Sequence, residues 1–562
     1  MKKSFHGGVT LLAILLLVGF CQGCGKNESE NVSTEDEATV ESSKEEATVA
    51  ADTSEEENGE DKEEEETKEV ELPQTPPKLM IQNIYHYEYK MPDSYETLMN
   101  GTYALVQLSE ESKSVYPELS KSLDDFNKRQ EDDFLKVYES YLTDAKSWYE
   151  ELEDKNNFSE CYIKYDIDIV RADNAYLSIR VNEEDYMGGA HGAYGSGGYN
   201  YDSVSGKELV LKDIIPDIDT LRTVVKDKIN EKYSESVVLD SLDEAVPQYL
   251  TGEEDQGCSW FITPEGVDIY FGIYQLGAYA SGTQTVSILY DENPELFVED
   301  FRKQEDNYVE EINIGETVTS DINGDGKAEQ FIIESVMNEY DWVDSAKFTV
   351  NGNENRLQVY GYEITPYLVR VGGNTYIYVE MVEENDYRVT SAFRVNGNKV
   401  EKIGEYNGYI TDKLPLPDYE SEWKYYWKSA FTSPNDLYVG DTIQIFSTHT
   451  GIARAFINDA GELVKSEDYY YAIGYDGNDR IKSKKDLKAD LIDKESFEII
   501  SEDVEVSAGT RFSIYGTEGE DTVDLLDSNG KLYRFTIKSD TWPQTIDGVD
   551  IEELFEGIMF AG

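Results

Sequence analysis

IKYDIDI, residues 163–169, places bulky apolar side chains at every second position and charged side chains between them. LSIRV, residues 177–181, repeats this alternation after ADN at 172–174, which favours a turn. Successive side chains of a β-strand point to opposite faces of the sheet, so each stretch predicts a strand with one buried face. The two stretches therefore predict neighbouring strands joined by a short turn.

Helical and strand patterns surround this pair. From Ser114 to Asp154, apolar residues recur at steps of three, four and seven, which predicts one amphipathic helix or two. A second helix is predicted over 219–233, and strands over 81–89, 266–274 and 285–290. This mixture predicts an α+β domain over residues 78–303, with an antiparallel sheet and helices packed against it.

The second half of the chain consists of short β-prone runs separated by Gly, Asn and Asp. It predicts two β-rich domains, 306–415 and 416–562, with a boundary near Leu414–Pro417. Within the second of these, residues 487–539 are compatible with a small barrel of the SH3 type. A short helix is predicted over 550–556. The expected fold class is thus α+β followed by mainly-β domains.

The N-terminus carries an export pattern. Lys2 and Lys3 precede an apolar or small run from Val9 to Phe20, the order found in secretory signal peptides. Twelve helical residues span about 18 Å, too little for a bilayer core of about 30 Å. The residues Gly23 and Cys24 then resemble the lipobox of bacterial lipoproteins.

The lipobox resemblance implies that residues 1–24 are a lipoprotein signal peptide and that Cys24 carries the lipid. Phe20 before Cys21 fits the cleavage position poorly, whereas Gly23 before Cys24 fits it. We expect a protein anchored by lipid to the extracytoplasmic face of the cell membrane.

The chain is strongly acidic. Its 562 residues include 116 acidic and 49 basic residues, for a formal net charge of −67. The segment 25–77 lacks aromatic residues and is rich in Glu, which predicts a disordered acidic linker. The negative field of the chain excludes nucleic acid as a partner and attracts cations, which are either metal ions or basic proteins. Solubility at a cell surface is an alternative reason for the charge.

Cys161 and Cys258 are the cysteines outside the signal region. Export permits a disulfide between them, and two buried thiols are the alternative.

The loop DINGDGKAE, residues 321–329, has oxygen-bearing side chains at alternate positions and glycine at the sixth. Asp321, Asn323, Asp325 and Glu329 are therefore candidate ligands of a hard cation such as Ca²⁺. The loop resembles the calcium loops of EF-hands, dockerins and β-propeller repeats, but Ile332 occupies the position of the bidentate glutamate of an EF-hand. The alternative is a turn, rich in Asp and Asn, that binds no metal. Ca²⁺ is the one cofactor that the sequence suggests.

Several motifs resemble one domain family. They are GGAH at 188–191, YNYD at 199–202, GK at 206–207, FITPEGVDIYF at 261–271 and YASG at 279–282. The family is shared by the extracellular part of RsiV, a lysozyme-sensing anti-sigma factor, and the non-catalytic part of the peptidoglycan deacetylase PdaC. The resemblance covers roughly residues 78–303 and implies an extracytoplasmic α+β binding module.

Two activities of the family are not carried over by these motifs. An anti-sigma factor needs a sigma-binding segment and a spanning helix, and neither pattern occurs here. The deacetylase activity resides in a separate metal-binding domain with paired histidines, whereas the four histidines of this chain are not spaced as a ligand pair. No catalytic residue is assigned.

His191 is the histidine that the family motif contains. It is a candidate contact residue in an exposed loop, together with Tyr194. The alternative is a structural turn in which Gly188 and Gly189 adopt positive φ and the imidazole bonds to backbone.

The function that these features predict is a non-enzymatic cell-surface lipoprotein. Its expected partners are the membrane, through the lipid, and either a cationic protein such as lysozyme or cell-wall glycan. The lysozyme suggestion comes from the family resemblance. Two alternatives stay open: an enzyme that modifies cell-wall glycan through carboxylates, and a structural component of a surface complex.

Overall fold

The computed structural model describes residues 72–233, 242–252, 257–384, 387–412, 427–473, 481–519 and 521–560. The predicted signal peptide, Cys24 and the predicted linker as far as residue 71 lie outside the described residues. So does the predicted boundary at Leu414–Pro417.

The first region is built on an antiparallel sheet with one parallel step. Its elements are β1 Leu79–Tyr89, β2 Thr97–Leu108, α1 Glu110–Val115, α2 Pro117–Glu151, β3 Cys161–Ala172, β4 Tyr176–Tyr186 and β5 Ala193–Asp202. The strands lie in the order β1-β2-β3-β4-β5, and only β2 and β3 are parallel among these neighbours. The predicted pair of alternating strands is therefore confirmed as the β3–β4 hairpin.

The long helix α2 makes the crossover between the parallel strands β2 and β3, a connection that needs a dozen or more residues. It buries the predicted apolar stripe, including Leu119, Phe126 and Phe134, against the sheet. The packing is close: a Cβ on Gly101 of β2 would lie 2.6 Å from the Tyr138 ring. In the part of the chain that the structure describes, no helix is both long enough and apolar enough to span a membrane.

A second, smaller layer follows. Its elements are α3 Leu211–Ile214, α4 Ile218–Lys232, α5 Leu242–Tyr249, β6 Ser259–Ile262, β7 Gly266–Phe271 and β8 Gln284–Leu289. The strands form a three-stranded antiparallel sheet in the order β6-β7-β8. Strand β7 ends at Phe271, earlier than predicted, because a turn begins at Gly272, whose N–H bonds to Gln275 Oε1 at 2.8 Å. Short 3-10 helices lie at Lys155–Asn157, Tyr279–Ser281 and Pro294–Leu296.

The next region consists of two sheets. Its strands are β9 Tyr308–Glu311, β10 Thr317–Ser320, β11 Glu329–Met337, β12 Val343–Val350, β13 Asn353–Leu357, β14 Glu363–Val371, β15 Asn374–Val382, β16 Arg388–Asn396 and β17 Lys399–Asn407. The short strand β18 Tyr409–Thr411 follows them and pairs with the sheet of the last region. A four-stranded sheet runs β10-β11-β12-β13, and a five-stranded sheet runs β17-β16-β15-β14-β9. Phe331, Phe348 and Ile377 belong to the core between the two sheets.

The last region is almost entirely β. Its elements are β19 Trp427–Ser429, β20 Leu437–Ile443, β21 His449–Ile457, β22 Leu463–Lys465, β23 Tyr470–Ile473, β24 Ile481–Ser483, β25 Leu487–Ile492, β26 Ile499–Val506, β27 Arg511–Thr517, β28 Thr522–Asp527, β29 Leu532–Thr536, β30 Thr545–Ile546, β31 Val549–Asp550, α6 Ile551–Leu554 and β32 Phe555–Glu556. The predicted terminal helix is thus a single turn. Strands β18, β20–β29 and β32 form one twelve-stranded sheet.

The central strand of the five-stranded sheet, β15, is buried on both faces. Tyr376 and Tyr378 of β15 pack into a core shared with the last region, whereas Ile377 and Val379 pack toward the four-stranded sheet. Strand β15 therefore lacks a polar face over most of its length, and its pattern of burial is nearly continuous.

Contacts also cross the boundaries predicted from the sequence. Strand β19 pairs antiparallel with β1, so the last region supplies the edge strand of the first sheet. Beside it, Lys78 Nζ lies 2.6 Å from Asp436 Oδ2. The strands of the predicted SH3-type barrel, β25–β29, run in the order β27-β28-β29-β25-β26 and are continuous with the larger sheet through the pairing of β23 with β27.

Cys161 and Cys258 are free and buried, so the structure has two buried thiols where the sequence also allowed a disulfide. Burial raises the pKa of the Cys161 thiol to about 11 and that of Cys258 to about 12. Both thiols therefore stay protonated at neutral pH.

Candidate functional site

The two motif-bearing loops of the first region meet in a cluster of aromatic rings. The His191 ring stacks on Tyr279 with centroids 3.8 Å apart and an interplanar angle of 22°. Tyr194 and Tyr274 contact the same ring with centroid distances of 6.0 and 5.7 Å. Tyr279 also donates a hydrogen bond from its hydroxyl to the Gly192 carbonyl at 3.0 Å. We call His191, Tyr194, Tyr274 and Tyr279 the aromatic cluster.

Glycines shape the loop between β4 and β5 that carries His191. Gly188 and Gly189 have φ of +87° and +100°, values that side chains with a Cβ rarely adopt. A Cβ at Gly188 would also lie 2.7 Å from the Trp148 ring of α2. His191 Nδ1 lies 2.9 Å from the Gly192 carbonyl oxygen. The loop thus has both features that the turn interpretation requires.

The aromatic cluster is also open to solvent. His191 is exposed, and Tyr194 and Tyr274 keep 39% and 41% of their surface accessible. Tyr274 sits at φ +65°, a left-handed conformation that a bulky residue seldom takes without a local constraint. The loop that carries His191 is therefore both a structural turn and part of a solvent-accessible aromatic surface.

One carboxylate of β4, Glu184, borders the aromatic cluster. Glu184 pairs directly with Tyr194 across the β4–β5 ladder. Glu183 and Asp185 point to the opposite face of the sheet, where their strand partners Tyr165 and Ile163 pack with α2. Burial, with a smaller contribution from Asp185, raises the pKa of the Glu183 carboxyl to about 7. Burial and then Glu184 raise the pKa of Asp185 to about 6. Aromatic faces next to excess negative charge attract guanidinium and ammonium groups.

The sequence predicts two members of the aromatic cluster. His191 and Tyr194 were predicted, and the structure brings them together. Tyr279 stands in the YASG motif but was not singled out, and Tyr274 was missed. The sequence signal for Tyr279 was its place in a family motif, whereas nothing local marks Tyr274 as a neighbour of a loop some 80 positions earlier.

The predicted calcium loop wraps around one carboxylate. Asp321 Oδ1 accepts hydrogen bonds from the N–H groups of Gly324 at 2.7 Å and Asp325 at 3.0 Å, and its Oδ2 accepts one from Gly326 at 2.8 Å. Gly326 has φ +82°, as the sharp turn at the sixth position requires. The backbone is thus already curved around oxygen atoms.

Glu329 closes the loop from the first residue of β11. It is 5% exposed, and Asn323 Nδ2 donates to its Oε1 at 2.6 Å. Its other oxygen, Oε2, has no hydrogen-bond partner among the described residues. Burial and then the charges of Asp321 and Asp325 raise the pKa of this carboxyl. Within the described residues, this loop included, no group of three or more His, Cys, Asp or Glu side chains is arranged as a metal site.

The loop is fastened to the first region by a glutamate of the FITPEGVDIYF motif. Glu265 Oε2 accepts a hydrogen bond from the Asp321 N–H at 2.9 Å, and its Oε1 accepts one from the Ser320 hydroxyl at 2.8 Å. Arg370 Nη1 donates to the Asp321 carbonyl at 3.0 Å. The position of the loop therefore depends on both the α+β region and the five-stranded sheet.

Two known protein families match parts of the region that carries the motifs. Residues 109–194 match the family model described as Deacetylase PdaC. Residues 211–291 match a second model, described as a protein of unknown function, DUF3298. The first region is thus PdaC-like and DUF3298-like, which confirms the resemblance inferred from the motifs. The PdaC-like segment contains His191 and Tyr194, and the DUF3298-like segment contains Tyr274 and Tyr279.

Solved structures include similar chains of the second family. A member of the DUF3298 family from Bacteroides fragilis is 18% identical over 40% of this chain and 94% of that chain, with a TM-score of 0.31. A DUF3298 family protein from Pseudomonas aeruginosa is 15% identical over 41% of this chain and 95% of that chain, with a TM-score of 0.26. No curated protein matches the chain.

Proposed function

We propose that this protein is a non-enzymatic binding protein whose aromatic cluster holds a cationic protein such as lysozyme. The observation that carries the proposal is the meeting of the PdaC-like and DUF3298-like segments in one exposed aromatic cluster, beside Glu184 of β4. Tyrosine gives a binding surface a large contact area at low entropic cost, and its ring face accepts arginine or lysine.

The charge of the chain supports the same kind of partner. A net charge of −67 steers cationic proteins toward the surface and raises their association rate, most strongly at low salt. Steering is not specific by itself, so the rings of the aromatic cluster would supply the discrimination. Cell-wall glycan, which stacks on aromatic rings without needing charge, is the alternative ligand.

The experiment is a titration of lysozyme against the full chain and against the double variant Tyr194→Ala/Tyr274→Ala. We expect the double variant to bind about tenfold more weakly, because about 1.4 kcal/mol of ring contact and cation–π energy is lost. The control is Tyr95→Ala, which removes a tyrosine that is 99% exposed in the same region. Its affinity should equal that of the unmodified chain.

Equal affinity of the double variant and the control would remove the aromatic cluster as the binding surface. Binding of neutral glycan fragments in place of lysozyme, lost in the double variant, would transfer the site to the alternative ligand. Absence of any salt-sensitive lysozyme binding by the unmodified chain would remove the cationic-protein proposal.

The place of action belongs to the proposal as well. The signal pattern and Cys24 support anchoring by lipid at the extracytoplasmic face of the membrane, with residues 25–77 as a spacer. A binding surface presented in this way would meet soluble partners outside the cell.

We further propose that the loop 321–329 binds Ca²⁺ as a structural ion. The support is the unpartnered Oε2 of Glu329 together with the hard oxygen donors of Asp321, Asn323 and Asp325. Calcium added at millimolar concentration should raise the melting temperature, because a ligand that binds only the folded state stabilises it. The rise should be lost in Glu329→Gln and kept in Asp341→Asn, a substitution in the exposed β11–β12 turn. A calorimetric titration without heat at millimolar Ca²⁺ would contradict the proposal.

A further inference from the structure

A second site lies away from the aromatic cluster, where the first region faces the β-rich regions. A cavity of about 1100 Å³ is bounded there by β3, the β7–β8 sheet, β9, β15 and β18. Ligand pockets in proteins commonly measure about 300–1,000 Å³, so this space can hold a small molecule with its solvent. The cavity exists only in the assembled fold, because the strands that line it come from all three regions.

The walls of this cavity carry an excess of negative charge. We call it the acidic cleft, and its carboxylates are Asp166, Asp168, Glu265, Asp268, Glu310, Glu311, Glu316, Glu380 and Asp412. The basic residues on the same walls are Arg180, Lys232, Arg388 and Lys428. Lys428 is engaged by Asp412, with Nζ 3.0 Å from Oδ2. The nine carboxyl groups therefore outnumber the four basic side chains on these walls, and one of them, Asp166, also pairs with Lys164.

Glu380 is the carboxylate that marks the acidic cleft as a site. It follows Tyr376 and Tyr378 on the same face of β15, so the alternation of the strand places it in the interior. Only 9% of its surface is exposed, and its Oε1 has no hydrogen-bond partner within the described residues. A buried, unpartnered carboxylate oxygen costs free energy, which a cationic ligand in the cleft would offset.

Glu310 also lines the acidic cleft, from β9, the edge strand of the same five-stranded sheet, and the strand registers place it on the opposite face from Glu380. Burial raises the pKa of its carboxyl to about 8, with Glu265 and Asp268 as further causes. Burial likewise raises the pKa of Glu380 to about 8. Glu310 nevertheless keeps part of its surface open to the cleft. Both carboxyls are therefore largely protonated at neutral pH, and a cation bound in the acidic cleft would favour their ionised forms.

Aromatic rings complete the walls. Tyr367, Tyr409 and Phe431 line the acidic cleft, and the Arg388 guanidinium already stacks over the Tyr409 ring at 4.7 Å from its centroid. The ring of Tyr367 packs edge-on against Phe431 at 5.4 Å. Aromatic faces among carboxylates select organic cations over metal ions, because ammonium and guanidinium groups contact both.

We propose that the acidic cleft binds a small organic polycation, a molecule with two or more ammonium groups such as a polyamine. The carboxylates are spread over several strands, so they match separated ammonium groups better than one compact ion. This site shares no residue with the aromatic cluster and does not rest on the proposed function.

The test is calorimetric titration of the full chain with spermidine at low salt. We expect binding that is about tenfold weaker in Glu380→Gln and in Glu310→Gln, because each variant removes one buried carboxylate of the acidic cleft. The controls are Glu401→Gln on β17 and Glu354→Gln on β13, which remove exposed glutamates outside it. They should bind spermidine within twofold of the unmodified chain.

Equal losses in all four variants would show a general effect of net charge and would overturn the proposal. So would an unchanged affinity of both cleft variants, or Mg²⁺ displacing spermidine at equal concentration. The double variant Tyr194→Ala/Tyr274→Ala should keep its spermidine affinity. Failure of lysozyme binding and failure of polycation binding are therefore distinguishable.

Discussion

Replacing Asp173 with alanine should lower the free energy of unfolding by about 3 to 5 kcal/mol. The reason is that Arg171, 2% exposed, would be left as a buried charge without its partner. Asp173 Oδ2 lies 2.6 Å from Arg171 Nη2 and 3.0 Å from its Nε. Denaturant unfolding of variant and parent measures the difference.

This ion pair connects three distant parts of the first region. Arg171 also donates to the carbonyls of Thr263 at 3.0 Å and Arg302 at 2.7 Å. Asp173 Oδ1 accepts the N–H groups of Ala175 and Tyr176 at 2.8 and 2.7 Å and so forms the β3–β4 turn. The substitution therefore removes the turn acceptor as well as the counter-charge.

The matched control is Asp344→Ala. It breaks a pair of similar length, Arg356 Nη2 to Asp344 Oδ2 at 2.9 Å, in which both side chains are more than half exposed. Exposed pairs contribute little, so stability should change by less than about 1 kcal/mol. Equal effects of the two substitutions would contradict the structural role of Arg171 and Asp173.

The second large effect is a gain of stability at alkaline pH in Glu380→Gln. The folded state raises the pKa of the Glu380 carboxyl from 4.5 to about 8, mainly by burial. At pH 9 we expect the variant to exceed the parent by up to about 5 kcal/mol in free energy of unfolding. The cause is removal of a buried carboxylate whose Oε1 has no hydrogen-bond partner among the described residues.

The direction follows from proton linkage. A carboxyl whose pKa is higher in the folded state contributes stability below pH 4.5 and loses that contribution as pH rises through about 8. The Arg388 charge and a hydrogen bond from the Ile410 backbone favour the ionised form, whereas Asp412 and Glu311 oppose it. The difference between variant and parent should therefore grow from pH 5 to pH 9.

Unfolding of both proteins at several pH values measures this difference and cancels the titration of the other carboxylates. Glu401→Gln, at an exposed position of the same sheet, is the control and should show a difference that does not grow with pH. A constant difference in Glu380→Gln would contradict the burial of its charge.

The local patterns of the sequence were sufficient for most individual elements. The alternation at 163–169 and 177–181 predicted β3 and β4, and the three- and four-residue periodicity after Ser114 predicted α2. These predictions succeeded because one face of each element is buried and the other faces solvent. Apolar and polar side chains therefore recur with the period of the strand or helix.

The sequence predicted less where burial is not one-sided. Strand β15 is buried on both faces, so its apolar run does not reveal which sheets it separates. The pairing of β19 with β1 joins residues about 350 positions apart, and no local signal indicates that register. The predicted boundaries accordingly omit this shared edge strand.

Within the candidate sites, the sequence alone determined the chemistry of the parts. It identified the positive-φ glycines beside His191, the oxygen-rich loop at 321–329 and an acidic charge suited to cations. Only the tertiary structure decided which of these parts meet. It brought Tyr274 and Tyr279 to His191 and gathered Glu310 and Glu380 into one cleft. Residue type and local spacing can be read directly from the sequence, whereas proximity between distant segments depends on how whole sheets pack.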